Sequence, residues 1–244
     1  MSTTIQNTID FSAPFIEYSP LAVGTGDQPA IGIANEVQNT IMNPPFTWPW
    51  NRNENSATST VAGTQDYTFS IVDFGFLEKV SLTDSSGNIF EALDVYNNAS
   101  LATASSNVTK RGRPNGASVL LVTYGTSFKL RFSCPPDQIY QIGLTYQKLV
   151  VPMTALTGGS GTWTVPDQYV DIYNNLFLAE AFAVVDDARA NQYRQRGIAA
   201  LLAKADGLTE MQKNSFQEQY MMRTTGQAQS SSLKIQQGNQ ARGI

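Results

Sequence analysis

Val165-Pro166-Asp167-Gln168-Tyr169-Val170-Asp171-Ile172-Tyr173-Asn174-Asn175-Leu176-Phe177-Leu178-Ala179-Glu180-Ala181-Phe182-Ala183-Val184-Val185 is where the chain changes its hydrophobic period. From Pro166 onward Tyr169, Val170, Tyr173, Leu176, Phe177, Glu180, Ala181, Val184 and Val185 fall at helical spacing behind a proline, which suits a first helical turn. Apolar residues lie almost all round this helix, so it is expected at the centre of a bundle. Upstream, residues 61–165 read as β structure. Tyr67-Thr68-Phe69-Ser70-Ile71 alternates, and so does Leu77 to Leu82. The turn Asp84-Ser85-Ser86-Gly87-Asn88 then leads back into Ile89-Phe90-Glu91-Ala92-Leu93, a hairpin pattern. Ser118–Thr123 and Ser127–Phe132 flank Tyr124-Gly125-Thr126 as a second hairpin, and Gln138 to Tyr146 alternates again. Short strands at this spacing predict a sandwich or a small barrel.

Downstream, Asp186-Asp187 ends the first helix and caps another marked by Ala190, Tyr193, Gly197, Leu201, Leu202 and Ala205, which stops at Gly207. Thr209-Glu210-Met211-Gln212 is a capping-box pattern, followed by Phe216 and Tyr220 four apart on a third helix. Near the other end, Asp27 and Pro29 open a helix carrying Ala30, Ile31, Ala34, Val37, Gln38 and Ile41, which Pro44-Pro45 stops. The aromatic segment Phe46-Thr47-Trp48-Pro49-Trp50 and a polar link, Asn51 to Thr60, follow. Residues 1–26 show no clear period and read as an extended arm with apolar anchors. Residues 226–244 are Gln- and Ser-rich, a composition that is disordered alone and docks on a partner. In that tail Leu233 and Ile235 are the apolar anchors, and Lys234 and Arg242 are the charges. The predicted fold is α+β. A helical bundle built from the N- and C-terminal helices (27–45 and 166–225) carries an inserted antiparallel β-sandwich or small barrel (57–165).

Charged residues make up 15% of the 244, below the roughly 25% of ordinary soluble domains, while Asn, Gln, Ser and Thr number 78. Such a surface solvates well and repels little, which suits permanent contact with neighbours. The net charge is −4. The short basic cluster Lys110-Arg111-Gly112-Arg113 makes no phosphate track. Arg189, Arg194 and Arg196, beside Asp186 and Asp187, read as local ion pairs. With no His, the commonest general base and the Ser-His and Cys-His pairs are missing. Cys134 has no base to activate it and reads as a small hydrophobe, so no enzyme is expected. Thr157-Gly158-Gly159-Ser160-Gly161-Thr162 lacks the Gly-Lys-Ser/Thr ending of a phosphate loop and reads as a flexible loop. The carboxylates Asp66, Asp73, Glu78, Asp84, Glu91 and Asp94 are scattered, with no Ca²⁺-loop pattern. No cofactor, metal or membrane span is expected. One cysteine and no signal peptide point to synthesis in a reducing cytoplasm, so the sequons at Asn98 and Asn107 are discounted.

Several segments in this order resemble the neck adaptor proteins of tailed bacteriophages, the head-to-tail connector or tail tubular protein A type of short-tailed phages. They are Trp48 and Trp50, Val61-Ala62-Gly63-Thr64-Gln65-Asp66-Tyr67, and Gly112-Arg113-Pro114. Leu130-Arg131-Phe132-Ser133-Cys134-Pro135-Pro136, Ile142-Gly143-Leu144-Thr145-Tyr146, Val165-Pro166-Asp167-Gln168-Tyr169 and Ala188 to Tyr193 complete the set. The pattern covers about residues 28–205. The resemblance implies a structural virion protein, made in the host bacterial cytoplasm and placed in the neck. It would form a dodecameric homo-oligomeric ring joining the capsid portal protein to the tail nozzle or tail tube protein. Double-stranded DNA would pass through the ring during ejection without specific binding. A low charge with an acidic balance suits that bore, because each Lys–phosphate contact adds friction. On this reading Leu233, Lys234, Ile235 and Arg242 meet the portal. Phe46, Trp48, Trp50, Gly158, Gly159 and Trp163 are candidates for the tail or inter-subunit interface. The alternatives are a carbohydrate-binding tail module that recognises host glycans through its tryptophans, or another minor capsid protein.

Overall fold

The computed structural model describes residues 3–16, 29–90, 94–96, 110–184, 187–205 and 207–222. The fold is α+β, and the chain divides into two compact units: Met1–Phe46 with Pro152–Ile244, and Thr47–Val151. The second carries the β-strands and lies within the sequence of the first.

Eight strands form the β unit: β1 Arg52–Ser59, β2 Asp66–Phe69, β3 Phe74–Thr83, β4 Ile89–Phe90, β5 Asp94–Tyr96, β6 Gly116–Thr123, β7 Ser127–Phe132 and β8 Gln141–Lys148. They make two four-stranded sheets, ordered β1-β8-β3-β4 and β2-β7-β6-β5. The first is antiparallel throughout; in the second, β5 and β6 run parallel. Inward residues of both sheets share one core, a sandwich, and no closed barrel forms. Phe74 of one sheet stacks on Phe128 of the other at 3.8 Å between ring centroids. Both expected hairpins are present. Thr83 faces Ile89 across the first, whose turn is held by Asp84 accepting from the Ser86 and Asn88 amides, each at 2.9 Å. Gly125, at φ +74°, turns the second.

At the edge of the second sheet, Asp66 faces Arg131 and takes a two-pronged bond from it, 2.6 and 2.8 Å, with Lys129 at 3.0 Å. The Arg131 guanidinium holds the Asp66 carboxyl below its ordinary range. The polar link read at 51–60 is in fact strand β1, paired with β8. It has no apolar alternation because its side chains are largely exposed, so backbone pairing and polar side chains hold it. Arg52 pairs with Glu78. Burial pushes the Glu78 carboxyl up, but the Arg52 and Gln147 hydrogen bonds outweigh it and leave the group below its usual value.

The first unit contains five helices among the described residues: α1 Ile5–Ser12, α2 Pro29–Met42, α3 Val170–Val184, α4 Arg189–Lys204 and α5 Glu210–Met222. α3 buries residues on every side, from Ile172 to Phe182, as its pattern predicts. The α5 capping box forms: the Gln212 amide donates to Thr209 Oγ1 at 3.3 Å and Thr209 N donates to Gln212 Oε1 at 2.9 Å. The first segment departs from the expected extended arm. Ile5 to Ser12 is helical, with the Thr4 hydroxyl accepting from the Asn7 amide at 3.2 Å. Its buried face is Ile5, Thr8, Ile9 and Ser12, half of it polar, so the apolar period is broken. Residues 152–165, expected in the β module, belong to this helical unit.

Candidate functional site

Most of the candidate interface aromatics lie inside their own unit. Phe46 is fully buried and meets Phe216 edge-on at 4.7 Å. Trp48, 1% exposed, stacks on the half-buried Trp50 at 5.8 Å. Its backbone N donates to Gln147 Oε1 at 3.2 Å, and its backbone O accepts from Gln147 Nε2 at 3.3 Å. Trp163, 4% exposed, stacks on Tyr173 at 4.7 Å and donates to Thr8 Oγ1 at 3.1 Å. The assignment of Phe46, Trp48 and Trp163 to a partner surface is corrected accordingly. Their large apolar area is spent on the chain's own cores.

Gly158 and Gly159 are exposed, and Gly158 sits at φ +75°. The glycine-rich segment is tied down rather than loose. Thr162 Oγ1 donates to Gly158 O at 2.8 Å, Gln6 N donates to Leu156 O at 3.2 Å, and Trp163 N donates to Thr3 O at 3.1 Å. Gly161 packs where a Cβ would lie 2.4 Å from the Leu156 carbonyl carbon. Leu233, Lys234, Ile235 and Arg242 lie outside the described residues, as do Asn98 and Asn107.

The groups that could carry chemistry are engaged structurally. Cys134 is half-buried, burial pushes its thiol up, and its Sγ donates to Gly112 O at 3.5 Å. Arg113 lies over the Phe90 ring at 4.3 Å. Asp73 accepts from Tyr146 Oη at 2.8 Å, and burial with that bond pushes the Tyr146 hydroxyl up to about 12. Among the described residues no group of three or more His, Cys, Asp or Glu could hold a metal ion. No described helix is long and apolar enough to cross a membrane.

Two surface features of the helical unit remain. The first is a cleft of about 700 Å³ floored by α2, α3, α4 and α5. Asn35, Asn39 and Asn43 recur at four-residue spacing along one wall; Pro44, Pro45 and Phe216 supply apolar surface. Glu180 accepts from Arg194 Nη2 at 2.9 Å, and Glu36 and Tyr220 line the same space. Burial pushes the Tyr220 hydroxyl up. The second is a ladder of rings and cations. Phe11 and Phe15 meet at 5.7 Å, Phe15 and Tyr193 at 6.3 Å, and Arg196 lies over Tyr193 at 5.3 Å. Phe182 continues the ladder at 5.4 Å from Tyr193 and carries Arg189 at 4.5 Å over its ring. Phe11 is 47% and Phe15 37% exposed. Sequence reasoning missed both features. The one available signal was Phe11 and Phe15 at helical spacing, in a segment whose period the polar Thr8 and Ser12 obscure.

Comparison with curated proteins finds no match. A family model described as SU10 adaptor protein matches residues 13–227, which is most of the chain and includes the whole β unit, and this protein therefore belongs to that family of bacteriophage structural adaptors.

Proposed function

We propose that the chain forms a dodecameric ring in the virion neck, joining the capsid portal to the tail nozzle or tail tube and enclosing the path of the ejected DNA. The observation that carries this reading is the adaptor-family match over residues 13–227. The low charge and net −4 support it, because a bore that lets DNA slide must not neutralise phosphates. The helical unit forms the ring and faces the portal, and the β unit extends outward or toward the tail. Residues 226–244 dock on the portal through Leu233 and Ile235, with Lys234 and Arg242 as flanking charges. That site exists only once the portal ring has formed, so ordering of the tail makes assembly sequential. The test is deletion of residues 226–244 followed by a count of adaptor on purified capsids. Loss of the adaptor is expected; normal occupancy would overturn the anchoring role.

The glycan-binding alternative requires exposed indole faces to stack on sugar rings. The burial of Trp48 and Trp163 counts against it. No glycan-array signal above background is expected for the full-length protein.

A further inference from the structure

We propose that neighbouring copies join head to tail through two unlike patches of the helical unit: the Phe11–Phe15–Tyr193–Arg196 ladder of one copy seats in the Glu36 cleft of the next. The inference rests on the ring reading above and names the contact that would close the ring. A cyclic assembly with more than two members is built from heterologous contacts, which need two different and complementary patches on each copy. Both patches here belong to the same unit.

They also lie on different flanks of it. At about 100° per residue, Tyr193 and Arg196 stand roughly 100° and 160° round α4 from Arg194, which lines the cleft. The ladder and the cleft therefore face apart, as the two ends of a head-to-tail contact must.

Their chemistry matches. On the ladder, Arg196 is exposed and has no carboxylate partner among the described residues, whereas Arg189 is held by Asp187 at 2.7 Å. In the cleft, Arg194 already serves Glu180, which leaves the exposed Glu36 with no basic partner among the described residues. One uncompensated cation faces one uncompensated anion. The exposed Phe11 and Phe15 rings match the apolar wall of Pro44, Pro45 and Phe216, while the Asn39 and Asn43 amides can bond backbone groups that come with them. Aromatic anchors beside an arginine are the composition that concentrates interface energy.

The test uses full-length protein in virions assembled with wild type, R196E, E36K or the R196E/E36K pair, plus F15S. Adaptor–adaptor cross-linking within the particles is the readout. Wild type is expected to give a ladder reaching beyond the dimer. R196E and E36K should each cut that ladder about tenfold, and the pair, which restores opposite charges, should recover it. F15S should also lose it, with no recovery on adding E36K. Single variants that cross-link like wild type, or a pair no better than either single, would overturn the proposed contact while leaving the ring intact. Wild-type particles without any adaptor–adaptor cross-links would overturn the ring reading itself. Recovery in the pair also excludes misfolding of the singles as the cause of their loss.

Discussion

A methyl group on Gly197 would lie 2.6 Å from Leu176 Cδ2 and 3.2 Å from the Leu176 backbone N, so α3 and α4 approach only because this position has no side chain. Two effects compete in Gly197→Ala. Helix propensity favours alanine by about 1 kcal/mol. Overpacking against a fully buried leucine costs about 1–3 kcal/mol. Packing wins, because the clash reaches backbone as well as side chain. Gly197→Ala is expected to lower the urea midpoint with the slope unchanged, and Gly197→Val to lower it further. Gln147 is a second such position. Fully buried, it serves both backbone groups of Trp48 and donates to Glu78 Oε2 at 2.8 Å. Gln147→Ala strands these partners and should cost about 2–4 kcal/mol of unfolding free energy. Tyr146 sets an alkaline limit. Its folded value of about 12 exceeds the ordinary tyrosine value of 10.0, so the neutral hydroxyl is the form the fold favours. Its contribution is complete below pH 10 and is lost as pH rises from 10 toward 12. Tyr146→Phe should flatten the fall in stability across that window, measured by denaturant titration at each pH.

The helices α2, α3, α4 and α5 were legible because their period, prolines, Gly207 and the Thr209 box all agree. β2, β3, β4, β6, β7 and β8 were legible from alternation and from the turn residues between them. α1, β1 and the short parallel strand β5 were not. α1 hides a polar contact on its buried face, where Trp163 Nε1 meets Thr8 Oγ1; no local pattern reports a bond made across 155 residues. Trp163→Phe keeps the stack on Tyr173 and removes that bond, at an expected cost of about 1–2 kcal/mol. Amide exchange should then rise in Ile5–Ser12 more than in α3. Unaltered exchange in α1 would show that the bond does not hold the helix down. β1 is an edge strand with almost nothing to bury, so its pairing with β8 is fixed by backbone bonds and by Asn53, whose Nδ2 donates to Tyr146 Oη at 3.0 Å. Of the candidate site, the aromatic residues were visible and their burial was not, since a Phe-x-Trp segment shows the same pattern whether its rings pack inward or face a partner.

The chain as a whole presents a weakly charged surface, a helical unit drawn from both ends of the sequence and a β sandwich between them. If the chain encloses the proposed DNA path, the full-length protein associates only weakly with double-stranded DNA at low salt, with little slope against salt concentration, because few phosphates are neutralised. A steep slope would mean that the protein grips DNA. The most direct measurement is an image of the virion neck by electron microscopy, with the adaptor located by an added tag. The account predicts a closed ring of adaptor copies directly beneath the portal, matching its symmetry, with the tail below. Adaptor found on the capsid shell, or absent from the portal–tail junction, would contradict it.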